Sequence, residues 1–588
     1  MIGRLKFTFR SLAVTLCATV VFASATPRVS GAPERPIGDE RLDALATRYF
    51  AETWKLEPIR ATSIGVHDYD DKLSDLSVQG FAARIAFLRR TLADVRAIDP
   101  TTYGAEASYD ARLFESTIES TLLALQERQT WRHDPSFYTG QAANAIFSLL
   151  MRDFAPLRDR TRSVIARERA IPAMLDRAKD SITTVDATTA DLARRNMKGT
   201  ADFFRTVVPA AVAPLHDAVL QAQFKTANDA VLAALQNYSN ALDAGQLAHP
   251  TGTYAIGSKL FEQLLDLQEL SPITLTQYER VGEDALAKTR ADFVETARSI
   301  DATKSPQAVA ASLGAQHPSA GDLLKKATSD LVALRRFVIA RKIITLPPDN
   351  DVKVVPTPEF ARQTTFASMN APGPLEKVAT QAYYNVTPVE PDWAPEVKEQ
   401  HLAFFNDYAF PIVSLHEVMP GHYVNFAIDQ HLKLSLIRKI MRSGSFAEGW
   451  AHYDEQMMVD EGWGNGDPKV RLAQLQLALQ RECRFLVGLR EHTQNMSVDD
   501  GTKFFRDNAF LPEGPSRREA LRGTQDPLYG YYTLGKLELL KLRDDYKKKL
   551  GARFTLLGFH DEFLAHGDPP IAIVRKILLG ADDDGKLL

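Results

Sequence analysis

Cysteine is scarce in this chain of 588 residues, which contains only Cys17 and Cys483. Cys17 lies in an N-terminal segment that we expect to be removed, so Cys483 has no partner for an internal disulfide. Cys483 stands in an apolar run and is expected to be a small buried side chain, not a nucleophile. Stability therefore has to come from apolar burial, which a hydrophobic content of 45% can supply.

Other missing features exclude several classes of function. The chain has no long basic run, and its 70 basic and 74 acidic residues give a net charge of −4, so nucleic-acid binding is not expected. We find no glycine-rich phosphate loop, no nucleotide fingerprint and no G-x-S-x-G nucleophile elbow. Nucleotide chemistry and serine hydrolysis are therefore not indicated.

The N-terminus holds the only apolar stretch that needs a special explanation. Residues 12–23 are apolar, they follow Arg4, Lys6 and Arg10, and Ala23-Ser24-Ala25 supplies the small residues of a cleavage site. This pattern predicts a signal peptide over 1–25, cleaved after Ala25, and a periplasmic or secreted protein with no stable membrane span afterwards. The alternative is an uncleaved anchor, although spanning takes about 20 apolar residues. Leu16 before Cys17 is too large for a usual lipoprotein signal.

Hydrophobic periodicity predicts a mainly α fold. Residues 26–38 are rich in proline, glycine and serine and are interpreted as a flexible lead-in. From Asp39 onwards apolar residues recur at helical spacing, as in Leu42, Leu45, Ala46 and Tyr49. We therefore predict a large multi-helix body, with a helical N-terminal lobe over 39–345 and a catalytic lobe over 346–588.

A small β-sheet insertion is predicted just before the motif region. Residues 352–355 alternate and are β-branched, and residues 364–371 and 382–387 are two further candidate strands. Helices resume near Ala394.

The segment His416-Glu417-Val418-Met419-Pro420-Gly421-His422 carries the sharpest chemical signal. A zinc hydrolase uses neutral imidazoles as ligands and a neighbouring carboxylate to deprotonate water. In the common H-E-x-x-H pattern the histidines share one helix face, whereas six residues of regular helix would place His422 about 120° from His416. The motif can bind metal only if Pro420 and Gly421 break the helix. The alternative is a plain Pro-Gly turn with two incidental histidines.

A third ligand is predicted from a segment that follows. Glu448, His452 and Glu455 lie at i, i+4 and i+7 on one helix face, among mainly apolar residues. Glu448 is the first choice, His452 the reserve ligand, and Glu455 a partner that orients a histidine. A solvated acidic face is the alternative.

These two segments together resemble a family of bacterial proteins with a domain of unknown function, number 885, regarded as gluzincin-like zinc metallopeptidases. Three further segments, 58–70, 367–374 and 522–537, are similar to other parts of that family. Tyr423-Val424-Asn425 departs from the family, where a second histidine and a glutamine often follow the first histidine.

The resemblance implies Zn²⁺ held by His416, His422 and Glu448, with Glu417 as general base. It also implies a role for the C-terminal segment, because amide hydrolysis builds negative charge on the carbonyl oxygen. Tyr532 is the preferred donor to that oxygen, Tyr529 is a secondary candidate, and Arg522 is either a donor or the holder of a substrate carboxylate. The alternative for the tyrosines is an aromatic patch packed on the following helix.

The predicted function is zinc-dependent hydrolysis of short peptides, with the N-terminal helices restricting access to the site. Two alternatives remain: a zinc amidase acting on cell-wall or non-ribosomal amides, and a non-catalytic protein that binds peptide or metal. The sequence carries no indication of the oligomeric state.

Overall fold

The computed structural model describes residues 37–270, 273–348, 351–358, 362 and 365–588. The predicted signal peptide over 1–25 and the lead-in up to residue 36 lie outside the described residues. The first helix begins at Ile37, so the predicted lead-in is two residues too long at its C-terminal end.

The first part of the described chain consists of helices joined by turns and loops. Its α-helices are α1 (Ile37–Leu56), α2 (Pro58–Ile64), α3 (Val78–Arg96), α4 (Ala105–Leu123), α5 (Thr130–His133), α6 (Ser136–Leu150), α7 (Leu157–Ser181), α8 (Ala187–Asp202), α9 (Val208–Val212), α10 (Ala218–Ala244), α11 (Ser258–Glu269), α12 (Leu275–Ile300), α13 (Pro306–Leu313) and α14 (Leu323–Arg341).

A three-stranded sheet follows, as predicted. Its strands are β1 (Val352–Pro356), β2 (Ala367–Asn370) and β3 (Ala382–Val386). The order is β1-β3-β2, with β1 parallel and β2 antiparallel to β3. The second strand is shorter than predicted, and Thr364, its predicted first residue, lies outside the described residues. Among the strands that the structure describes, β2 is therefore an edge strand, with one side free of strand pairing.

Helices then continue to the C-terminus. They are α15 (Pro395–Phe404), α16 (Ala409–Glu417), α17 (His422–His431), α18 (Leu436–Ile440), α19 (Gly444–Asp460), α20 (Pro468–Thr493), α21 (Val498–Ala509), α22 (Glu513–Gln525), α23 (Tyr531–Leu550), α24 (Leu556–Phe563) and α25 (Ile571–Leu579). The mainly α fold with a small sheet before the metal motif is confirmed.

Local sequence sets several helix starts through side chains that accept backbone N–H groups. Ser77 Oγ accepts from Gly80 N at the start of α3, and Ser443 Oγ accepts from Phe446 N at the start of α19. Thr274 and Gln277 form a reciprocal capping box at α12. The start of α19 matters most here, because that helix carries the predicted third ligand.

Buried apolar side chains form three clusters. The first joins α1–α10 with α18, the second joins α14 and the sheet with α15–α17, α19 and α23–α25, and the third joins α11–α13 with α20–α22. Helices α11–α14 thus pack with helices that follow residue 346, so the apolar clusters cross the predicted boundary. The two-lobe division stays a prediction. Cys483 is fully buried in the third cluster, as expected.

No helix among the described residues is both long and apolar enough to cross a membrane.

Candidate metal centre

The helix is broken at the metal motif, as the spacing of its histidines requires. Helix α16 ends at Glu417, α17 begins at His422, and the Met419–Pro420 peptide bond between them is cis. A Cβ atom on Gly421 would lie 1.9 Å from the carbonyl oxygen of His416, so only glycine fits this close approach. Gly421 N donates to Leu415 O at 3.0 Å, which holds the turn closed.

A tryptophan from α19 fixes the same turn from the other side. Trp450 is fully buried, and its Nε1 donates to Pro420 O at 3.0 Å. The helix that carries Glu448 is therefore tied directly to the break between the two histidines.

The break brings His416, His422 and Glu448 together. Glu448 Oε2 lies 3.5 Å from His416 Nε2 and 3.4 Å from His422 Nε2, and the ligand atoms of all three residues lie within 4.8 Å of one another. A tetrahedral zinc ion about 2.0–2.1 Å from each atom needs ligand atoms about 3.4 Å apart. Glu448 Oε2 is buried and has no hydrogen-bond partner among the described residues. The three residues fit a divalent cation.

The charge state of Glu448 suits the same role. Burial by itself would raise the pKa of this carboxyl, but His422 and His416 outweigh burial and lower the pKa well below its usual value. Glu448 is thus an anion in a largely buried position, and a cation between it and the imidazoles would balance that charge.

Glu455 lies behind His416 and orients it. Glu455 Oε1 is 2.8 Å from His416 Nδ1 and 2.9 Å from an Arg481 guanidinium nitrogen, and the Glu455 side chain is fully buried. Burial would raise the pKa of Glu455, but Arg481, His452 and His416 lower it well below its usual value. Because an ionised carboxylate only accepts, Nδ1–H donates to it and Nε2 faces the other two ligands.

The reserve ligand His452 lies away from the three metal-ligand candidates. Its Nδ1 lies 3.4 Å from Glu455 Oε2, and neither ring nitrogen has a hydrogen-bond partner in the described part of the chain. Burial and the charge of Lys536 lower the pKa of His452 to about 3, against the raising effect of Glu455. The geometry favours His452 as a neutral packing neighbour of Glu455.

Glu417 extends from the end of α16 towards the sheet. Its Oε2 accepts a hydrogen bond from Met369 N in the edge strand β2 at 2.8 Å. Glu417 is only partly buried. No sequence pattern could have indicated the contribution of Met369, because a backbone N–H is independent of residue type.

Comparisons with known proteins identify the family and the fold. The model of a family described as bacterial protein of unknown function, DUF885, matches residues 58–578. The chain belongs to DUF885. A solved candidate lipoprotein of unknown function from Shewanella oneidensis has a TM-score of 0.78 at 25% identity, over 92% of this chain and 99% of its own.

A candidate lipoprotein from Colwellia psychrerythraea shows the same fold, with a TM-score of 0.73 at 18% identity over 93% of this chain and 99% of its own. A search of curated proteins finds no match to the chain.

The C-terminal segment of this DUF885 protein brings Arg522 next to two tyrosines. Its guanidinium lies 3.4 Å from the hydroxyls of both Tyr531 and Tyr532, whose rings stack at 4.8 Å. Tyr531 also lies against Gly444, the first residue of α19. Burial raises the pKa of Tyr531, and the charges that raise it further include Glu448. Tyr531 thus lies between Arg522 and the metal-ligand helix.

Tyr529 takes a different position from the other tyrosines. It is fully buried, and its hydroxyl donates to Glu519 O at 3.1 Å. This geometry favours the aromatic-packing alternative for Tyr529. Tyr531, which the sequence distinguished only as part of that patch, contacts the metal-ligand helix α19 at Gly444.

Proposed function

We propose that this protein is a single-metal hydrolase that cleaves amide bonds of short peptides. The approach of three ligand atoms from His416, His422 and Glu448 carries the proposal, and Glu417 follows His416 directly in the chain. A bound Zn²⁺ would supply Lewis acidity, polarising the amide carbonyl and making a water molecule nucleophilic at neutral pH.

Glu417 supplies the general base in this proposal. Met369 N–H holds Oε2, so Oε1 is the oxygen free to take a proton from water and pass it to the leaving amine. The same hydrogen bond fixes the carboxylate orientation relative to His416, one residue earlier in α16.

Arg522 and Tyr532 complete the proposed machinery. Tyr532 would donate its hydroxyl hydrogen to the carbonyl oxygen as negative charge develops there. Arg522 would bind the free carboxylate of the peptide through its two parallel N–H groups. Support comes from the partial exposure of Arg522, whose nearest acid, Asp526, is 3.9 Å away and forms only a weak pair.

A non-catalytic binding protein is a weaker alternative, because a pure binder has no use for Glu417 beside the metal ligands. An amidase of cell-wall or non-ribosomal amides would use the same machinery, and substrate profiling separates it from a peptidase. We also propose export through the N-terminal signal segment, which agrees with the description of the two structural neighbours as candidate lipoproteins.

Metal content and turnover test the proposal together. We expect Glu417→Gln to keep its zinc but to lose at least about a hundredfold in peptide hydrolysis, the scale of a lost general base. His416→Ala should lose the zinc itself. Mass spectrometry of zinc content and kcat on a short peptide are the measurements.

His431→Ala is the matched control, because His431 is an exposed histidine at the end of α17. It should keep both zinc and activity. Undiminished turnover in Glu417→Gln would overturn the mechanism, and equal zinc content in His416→Ala would overturn the metal site.

A further inference from the structure

A large cavity lies between the N-terminal helices and the segment that follows β2. Its volume is about 930 Å³, and its walls come from α2, α3, α6 and residues 371–376. Ligand sites in proteins commonly measure about 300–1,000 Å³. Phe81, Phe137 and Phe147 line it together with the amide side chains of Gln141 and Asn144, for which the described structure shows no hydrogen bond.

The cavity begins where the strand that holds the proposed general base ends. Met369 N–H points from the free edge of β2 to Glu417. Ala371 follows directly after the last residue of β2, two residues and about 7 Å along the chain from Met369. Ala371 is itself part of the cavity wall.

Arg152 links the cavity to the end of the sheet. Its guanidinium donates to Asn370 O at 2.7 Å, to Asn370 Oδ1 at 2.6 Å and to Gln381 O at 2.7 Å, at the end of the β2–β3 ladder. Arg152 also lines the cavity. The position of the cavity relative to Glu417 is therefore set by direct contacts between the N-terminal helices and the sheet.

Charge indicates which end of a peptide lies here. Arg522, the proposed carboxylate-binding side chain, contacts Tyr531 on the α19 side of the metal ligands, whereas β2 contacts Glu417. On the cavity wall, Lys55, Arg60 and Arg84 are paired with acids. Arg152 forms no ion pair among the described residues, but its guanidinium is occupied by hydrogen bonds to Ala379 O, Gln381 O and Asn370. Asp75 is exposed, accepts from Ser77 N and forms no ion pair in that part of the chain. The cavity thus offers an unpaired carboxylate to an amino group.

We propose that this cavity is a substrate subsite that binds the amino-terminal part of the peptide, with an apolar side chain among its phenylalanines. The inference rests on the proposed function, because it takes the substrate to be a peptide cleaved beside Glu417. A peptide lying along the free edge of β2 would reach the cavity only if it extends beyond the cleaved bond by two or more residues. The cavity should then increase the affinity for peptides that have several residues before the cleaved bond.

Peptide binding to the Glu417→Gln protein loaded with zinc tests the subsite without requiring turnover. Calorimetry would give the Kd of one core peptide, of the same peptide extended stepwise with leucine-containing sequence at its amino end, and of a version extended at its carboxyl end. We expect amino-terminal extension to tighten binding about tenfold, and carboxyl-terminal extension to leave it unchanged or weaken it.

Two neighbouring alanines on α3 supply a matched pair of variants. Ala83 and Ala82 are both exposed, but only Ala83 lines the cavity. Ala83→Trp, in the Glu417→Gln background, should abolish the gain from amino-terminal extension while leaving binding of the core peptide unchanged. Ala82→Trp should change neither value.

Equal affinity for core and extended peptides, or a gain that survives Ala83→Trp, would overturn the subsite. Hydrolysis of the same peptides by the wild-type protein is measured in a separate experiment. If amino-terminal extension tightens binding and Ala83→Trp removes that gain, but no peptide is hydrolysed, the proposed function is rejected and the peptide-binding subsite stands. The two failures are therefore distinguishable.

Discussion

At the scale of single residues, the metal centre depends on buried charges that stabilise one another. Glu455 is fully buried and would be costly there as an anion without Arg481 and His416. The sequence could indicate Glu455 from its helix spacing, but Arg481 on α20 had no local pattern to reveal it. A buried partner of this kind is set by how two helices pack.

Replacing this acid tests its role in orienting His416. Glu455→Gln keeps the shape of the side chain but removes the charge that holds Nδ1–H, so zinc affinity should fall about 10- to 100-fold. Competition with a chromophoric chelator measures it. Glu461→Gln, just beyond the end of α19, is the control and should bind zinc as the wild type does. Unchanged affinity in Glu455→Gln would contradict the role.

At the scale of secondary-structure elements, the break between α16 and α17 decides whether the histidines meet. The sequence predicted the break correctly, because a proline and a glycine occupy the two positions where a regular helix would separate His416 from His422. It could not supply the reason for glycine. The structure shows that glycine is required at position 421 by the close approach of the His416 carbonyl.

Gly421→Ala should therefore push the two helices apart. The added Cβ meets backbone that cannot move freely, so we expect a loss of about 1–3 kcal/mol in the free energy of unfolding, with weaker zinc binding. Urea unfolding and zinc titration measure the two effects. Gly199→Ala in α8 is the control, because a Cβ there meets nothing within 4 Å and should leave stability equal or slightly higher.

At the scale of the whole molecule, contacts distant in sequence hold the sheet segment against the N-terminal helices. His67 Nδ1 lies 3.0 Å from Asp70 Oδ2, His67 Nε2 lies 3.1 Å from Glu376 Oε2, and the ring stacks on Phe154. Burial would lower the pKa of His67, but the two carboxylates outweigh burial and raise it. Glu376 shows the opposite effect, since hydrogen bonds from Val378 N and His67 lower its pKa against burial.

The contribution of His67 to stability should therefore depend on pH. Because its pKa is raised, His67 contributes fully to the free energy of unfolding below about pH 6.5, and this contribution is lost as the pH rises through its folded pKa. Because the pKa of Glu376 is lowered, its contribution is lost in acid, below about pH 4.5. The loss of unfolding free energy in His67→Gln, about 1 kcal/mol, should thus be greatest between these limits.

Urea unfolding at a series of pH values measures this difference. His216→Gln replaces an exposed histidine and should show no such dependence. A His67→Gln effect that stays constant from pH 5 to pH 9 would contradict the proposed charge pairing.

The sequence by itself determined the helical character, the sheet before the motif and the residue types able to bind a metal, because periodicity, proline and glycine act over a few neighbouring positions. Only the tertiary structure decided which acid lies beside the histidines, that Met369 N–H holds Glu417, and that a cavity from the N-terminal helices opens beside β2. Those facts arise from packing between segments tens to hundreds of residues apart, and the local pattern of any one segment contains no information about its distant neighbour.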